Sequence, residues 1–171
     1  GYDTVALEGG WLLPGFIDTQ VNGGGNILLN DQPDVEGIRA IASAHRRFGT
    51  TGLLPTLISD DADVVDAVIA AGEAALVQGV PGVLGLHIEG PHLNPVKKGI
   101  HDAAKFTAID PKVLERLTRP TIGRRIVTLA PELAPSGAIR ALRDAGVLVA
   151  AGHSLADYDQ TVAALSEGLN G

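Results

Sequence analysis

Five short runs rich in valine, leucine and isoleucine alternate along this chain with longer segments of helical period, several of them rich in alanine. The runs occupy 16–21, 51–57, 83–89, 126–130 and 147–151; the helical segments occupy 35–48, 62–77, 111–117, 136–145 and 155–165. In 62–77, Val64, Val65, Val68, Ile69 and Ala75 form one apolar stripe at helical spacing. Asp60 and Asp61 offer cap chemistry before it and Gly79 follows it, while Ser154 is read as the cap of the last helix. Strand and helix in regular alternation predict an α/β fold of parallel strands joined by crossover helices. Runs that are apolar throughout, not alternating, suit strands buried on both faces. Pro55 has no N–H to give a ladder, so it is placed at the C-terminal end of its strand or at a bulge. A doubly wound sheet and a (β/α)8 barrel both satisfy the pattern. No G-x-G-x-x-G follows the first run, which counts against the dinucleotide-binding variant.

Composition narrows the function classes. The chain has 171 residues, suited to about one domain, and it is 45% hydrophobic and 19% charged, a globular balance. Thirteen Lys and Arg against 20 Asp and Glu give a net charge of -7, which argues against a nucleic-acid partner. No apolar run approaches the roughly 20 residues of a membrane span. The lack of cysteine removes disulfides, thiolate nucleophiles and Cys-based zinc sites together. There is no methionine, no secretory signal precedes Gly1, and the sequence stops just after a helical pattern. The expectation is a chain cut at both ends, from a cytoplasmic protein.

In folds of this class the chemistry gathers at the C-terminal ends of strands. The first run delivers Asp18, Gln20 and Asn22, then three glycines; the third delivers His87, Glu89 and His92; the fourth Glu132; the fifth His153 and Ser154. Glu89 closes an otherwise apolar run, where an unpaired carboxylate would be costly. Glu89 and His153 together offer the oxygen and imidazole nitrogen that zinc and similar ions accept, and a third ligand is expected from a further strand. His87 lies two residues before Glu89, so both face the same way; it reads as a satisfied interior histidine or a support to Glu89. Glu132 reads as tying down a loop or orienting substrate. His45, beside Arg46 and Arg47, reads as surface, and His92 as a loop residue without a partner.

Two other motifs fail on their own terms. His87-Ile88-Glu89 resembles the H-x-E of zinc nucleobase deaminases, whose P-C-x-x-C needs cysteines this chain lacks. Gly152-His153-Ser154-Leu155-Ala156 is a near miss to the G-x-S-x-G nucleophile elbow, and no histidine follows Ser154 to complete a triad.

Pro14-Gly15-Phe16-Ile17-Asp18 and Gln20-Val21-Asn22-Gly23-Gly24-Gly25 resemble the first barrel strand of the amidohydrolase superfamily. Leu86-His87-Ile88-Glu89-Gly90-Pro91, Asn94-Pro95, Lys97-Lys98-Gly99 and His101 resemble the N-acetylglucosamine-6-phosphate deacetylase family within it. Val127-Thr128-Leu129-Ala130-Pro131-Glu132 and Ala151-Gly152-His153-Ser154 match further blocks of that family in the right order.

The resemblance implies a (β/α)8 metal-dependent hydrolase barrel, of which residues 13–171 would supply about the first five βα units, with 1–12 as the tail of a small β-sandwich. It assigns Glu89 and His153 to the catalytic metal and Ile100 and His101 to the substrate. Gln20, Asn22, His87 and Glu132 become supports of those ligands or further substrate contacts. Many superfamily members carry H-x-H on the first strand; Gln20 and Asn22 stand there instead, and amides are weaker ligands than imidazole. One divalent ion is therefore implied, zinc first, with iron or manganese compatible. The implied reaction is hydrolysis of the acetamide of N-acetylglucosamine-6-phosphate, giving glucosamine-6-phosphate and acetate, by a homodimer. The family's third metal histidine, catalytic aspartate and phosphate-holding arginine and histidine have no counterpart before Gly171, so this segment holds no general base and by itself is expected to be inactive. The alternatives are an inactive barrel piece acting as an interaction module, or another sugar-phosphate barrel enzyme.

Overall fold

A computed structural model describes residues 2–171. The expected strands appear as β1 (Phe16–Val21), β4 (Thr50–Leu57), β5 (Gly85–Glu89), β6 (Arg124–Leu129) and β7 (Leu148–Ala151). They form one five-stranded sheet in the order β1-β4-β5-β6-β7, every pair parallel. A doubly wound sheet reverses direction at a switch point. Here the order never reverses, and the sheet curls as a half-barrel. β2 (Gly23–Gly24) and β3 (Ile27–Leu28) form a short antiparallel ribbon after β1, too brief to register as alternation in the sequence.

The crossovers are α1 (Val35–Arg46), α2 (Ala62–Val77), α3 (Pro111–Thr118), α4 (Ala138–Asp144) and α5 (Tyr158–Glu167). Asp34 caps α1 by accepting from Gly37 N at 2.7 Å. The last helix starts later than its apolar pattern suggests. Asp157, not Ser154, is its cap, exchanging hydrogen bonds with Gln160 in a capping box, so Ser154 is free for another task. Asp61 occupies the cap position of α2 without a side-chain cap bond; its carboxylate pairs with Lys105.

The strands have two different faces. Leu86 and Ile88 of β5, Val127 and Leu129 of β6, and Val149 of β7 join the apolar cluster that includes Ile38, Val68, Leu117, Leu142 and Ala164 from the helices. The alternate residues, His87, Glu89 and Thr128, look the other way, as strand alternation requires. Pro55 lies inside β4 opposite Val21, where the β1 register shifts between Asp18 and Val21. There Val21 N–H donates to Thr56 Oγ1 at 2.8 Å. Residues 2–15 form no strand, and Tyr2, Trp11, Leu12 and Leu13 are exposed.

Leu129 is fully buried in this cluster while Phe48 is 78% exposed. Leu129→Ala is expected to cost about 2–5 kcal/mol and Phe48→Ser less than about 0.5 kcal/mol, read as shifts in the urea midpoint.

Candidate metal centre at the strand ends

Glu89 ends β5 with 6% of its surface exposed. A carboxylate at that depth needs donors or a cation, and they come from several strand ends. From the first strand, Gln20 Nε2 reaches both carboxylate oxygens at 3.0 Å, and Asn22 Nδ2 approaches Oε2 at 3.5 Å. From the end of β7, His153 Nε2 lies 3.1 Å from Glu89 Oε1. His101, on the segment after β5, brings its Nε2 to 3.7 Å from the same oxygen. One ligand atom from each of Glu89, His101 and His153 lies within 4.8 Å of the others.

The two imidazoles differ in what their far nitrogens do. His153 Nδ1 lies 2.8 Å from the Lys97 carbonyl oxygen. A carbonyl only accepts, so Nδ1 carries the proton, and in the neutral ring the Nε2 lone pair faces Glu89. Two acceptors 3.1 Å apart repel unless a proton or metal cation lies with them. His101 has the opposite polarity. Its Nδ1 accepts from Ser59 N–H at 3.1 Å, with the Ser59 hydroxyl 2.8 Å away, so the neutral ring carries its proton on Nε2. In its neutral form His153, with Glu89, has lone pairs that could hold a divalent ion, and His101 presents a donor beside them. Carboxylate plus imidazole suits zinc, iron or manganese.

His101 is 1% exposed and meets the His153 ring edge-on at 4.6 Å. Burial lowers its pKa, and so does nearby His153, against the attraction of Glu89. His87 donates from Nδ1 to Thr19 O at 3.0 Å and meets the Thr128 hydroxyl at Nε2, 2.8 Å away; burial holds it below the ordinary histidine pKa. It is the satisfied interior histidine the sequence suggested. Its face lines a cavity of about 420 Å³ together with Gln20, Glu89, Thr128 and His153. A separate cavity of about 320 Å³, between α2, α3 and the segment after Pro91, does not include the Glu89 cluster.

The structure corrects two other readings, those of His92 and His45. His92 is buried, with Nδ1 2.8 Å from Thr107 O, so it has the partner the sequence left out. His45 contacts Gly23 O at 2.9 Å and is not simply a surface group. Ile100 is 86% exposed, beside His101 in sequence and outside the cluster. Glu132 accepts from Asn94 Nδ2, Ser154 Oγ and Leu155 N–H at 2.9, 2.6 and 2.7 Å. Burial pushes its carboxyl pKa up, and those three hydrogen bonds bring it below the usual value. Ser59 was missed. It follows the second strand, whose end carries no histidine or glutamate to draw notice.

Parallel strands in barrel order thus gather a carboxylate and two imidazoles at their C-terminal ends, where (β/α)8 folds place their chemistry. No family model matches the chain. Over 96% of its length it is 42% identical to the N-acetylgalactosamine-6-phosphate deacetylase of a Shewanella strain, and over 98% it is 33% identical to the N-acetylglucosamine-6-phosphate deacetylase of Haemophilus influenzae. It spans 42% and 44% of those relatives. The crystal structure of N-acetylglucosamine-6-phosphate deacetylase from Pasteurella multocida superposes on 92% of the chain with a TM-score of 0.86 and 32% identity, the match covering 41% of that protein. A mutant of the Mycobacterium smegmatis enzyme, solved in complex with N-acetyl-D-glucosamine-6-phosphate, matches over the same 92% with a TM-score of 0.80 and 31% identity. The chain is a partial-length relative of the N-acetylglucosamine-6-phosphate deacetylases.

His87, His92 and His101 all have pKa values lowered first by burial. Unfolding lets each regain its ordinary value near 6.5, so at mildly acidic pH the unfolded chain binds more protons. The stability these neutral rings contribute is present above about pH 6.5 and is lost as pH falls through their folded-state values. The urea midpoint is expected to drop between pH 7.5 and 5.5, and less steeply in His87→Gln.

Proposed function

We propose that the protein containing this chain hydrolyses the acetamide of an N-acetylhexosamine-6-phosphate, releasing acetate and the free amino sugar phosphate. The observation that carries this reading is the opposition of Glu89 Oε1 and His153 Nε2 at 3.1 Å, with His101 alongside. Glu89 and His153 would hold one divalent ion, zinc in the first instance. When bound, that ion supplies Lewis acidity toward the acetyl carbonyl and lowers the pKa of a water toward about 7.

The chain's own residues supply the rest. Gln20 holds both oxygens of Glu89 and so fixes the carboxylate plane. Lys97 O holds His153 in the tautomer that leaves Nε2 free. Ser59 holds His101 with its proton on Nε2, the atom that would donate to the developing oxyanion of the amide carbonyl. Burial favours neutral His101, a donor that gives no proton away at neutral pH. Ile100 and His101 together would form one wall for the sugar, with Ile100 supplying apolar contact from the exposed side.

The resemblance supports the remaining assignments: a homodimer in the cytoplasm, and residues 1–12 as the tail of a small β-sandwich. Exposed Tyr2, Val5, Leu7, Trp11 and Leu12 are the apolar surface such a domain would cover. Both hexosamine epimers belong in the assay, because the Shewanella relative is named for the galacto sugar and the Haemophilus one for the gluco sugar.

The intact protein is expected to bind one zinc per chain by equilibrium dialysis, and Glu89→Ala or His153→Ala to lose it along with deacetylation. His101→Ala is expected to keep zinc and lose about 10²–10³-fold in kcat, as for an oxyanion donor. Zinc lost with His101 would instead make that ring a ligand. A wild-type protein that neither binds a divalent ion nor releases acetate would leave the interaction-module reading in its place.

A further inference from the structure

We propose that Glu132 is a positioning residue for the metal centre, holding His153 in ligand geometry by fastening the loop after β7 to the loop after β5. The inference rests on the reading of Glu89 and His153 as metal ligands. It starts from the backbone of His153, whose φ is 52°. A non-glycine residue persists in the left-handed region only where its surroundings fix it.

Those surroundings are specific. Before His153, Gly152 N–H donates to Leu129 O at 3.0 Å. The His153 carbonyl accepts from Asn94 N–H at 2.9 Å, and its ring donates to Lys97 O. After it, Ser154 Oγ and Leu155 N–H both donate to Glu132, while Ala156 N–H donates to Ser154 Oγ at 2.9 Å. The same Glu132 carboxylate also accepts from Asn94 Nδ2. One side chain thus grips the two residues that follow His153 and the residue that holds its carbonyl.

Glu132 is itself anchored. It sits on a 3-10 turn at Pro131–Leu133, closed by Leu133 N–H to Ala130 O at 3.0 Å, with Ala130 N–H donating to His92 O at 2.9 Å. With three donors on its two oxygens, the carboxylate is committed to these loops. It acts through the orientation of the His153 ring and touches neither Glu89 nor the space between them.

The test is calorimetric titration of the metal-free intact protein with zinc chloride, with thermal unfolding recorded on every variant. Glu132→Ala is expected to weaken zinc binding about 10–100-fold, the range for partners that orient a ligand. Glu132→Gln keeps one carbonyl oxygen for Asn94 and Leu155, and an amide that the Ser154 hydroxyl can accept from; it is expected to stay within about 3-fold of wild type, a small part of that range. At saturating zinc, Glu132→Ala is expected to regain most of its kcat with KM little changed. A folded Glu132→Ala protein with wild-type zinc affinity overturns the proposal. Should that variant fail to fold, Ser154→Ala decides: weakening of at least about 3-fold supports it, below the full effect of losing the carboxylate, and unchanged affinity overturns it. A wild-type protein that takes up no zinc overturns the metal reading and this inference together.

Discussion

A carboxylate buried at the end of a central strand sets the terms for the rest of this molecule. Glu89 is reached by water over only a few per cent of its surface, and a charge so placed is tolerated only where donors or cations converge on it. None of its partners is local. Gln20 is 69 residues away in sequence and His153 is 64, so the site forms only when the strands lie in their observed order. Burial of Glu89 and the parallel stacking of β1, β4, β5, β6 and β7 are thus one constraint seen at two scales.

The two-faced strands reconcile a dry core with a polar interior. On β5, Leu86 and Ile88 enter the apolar cluster under the helices while His87 and Glu89 take the opposite face. A one-residue slip in register would exchange the faces, putting two titratable groups against valine and leucine. The register Thr56–His87 and Glu89–Thr128 is accordingly held from both sides. His87 bridges Thr19 O on one neighbour and the Thr128 hydroxyl on another, while Arg125 on the helix side donates to Leu117 O and Arg119 O at the end of α3.

Much of this was legible in the sequence because its signals are periodic or sit at strand ends. The five runs and five helical segments each have their strand or helix, with α2 matching at both bounds and α5 starting later than its pattern. Glu89 and His153 could be paired because Glu89 closes one apolar run and His153 stands just past the end of another. The failures share a cause, which is that hydrogen bonds between distant loops leave no local trace. Ser154 has the residue type of a helix cap, yet its hydroxyl serves Glu132, and Asp157 three residues on does the capping. His92 seemed unpartnered because Thr107 O is brought to it by a fold-back of the segment after β5. The polarity of His101 is set by Ser59, 42 residues away, and no spacing rule connects them.

The outer edge of β7 extends the same logic. After α5, Gly168 turns the chain with φ 112°, and Asn170 and Gly171 return alongside β7. Asn170 N–H donates to Val149 O at 2.8 Å, Ala151 N–H donates to Gly171 O at 2.7 Å, and the Asn170 side chain accepts from Val149 N–H. These bonds fall on the side of β7 away from β6, so the segment after α5 returns to the outer edge of the sheet. An open parallel edge would expose unpaired amides beside the polar face that carries His153. Pairing that edge shields the backbone next to His153, at the same end of the sheet where Glu89 draws its partners together.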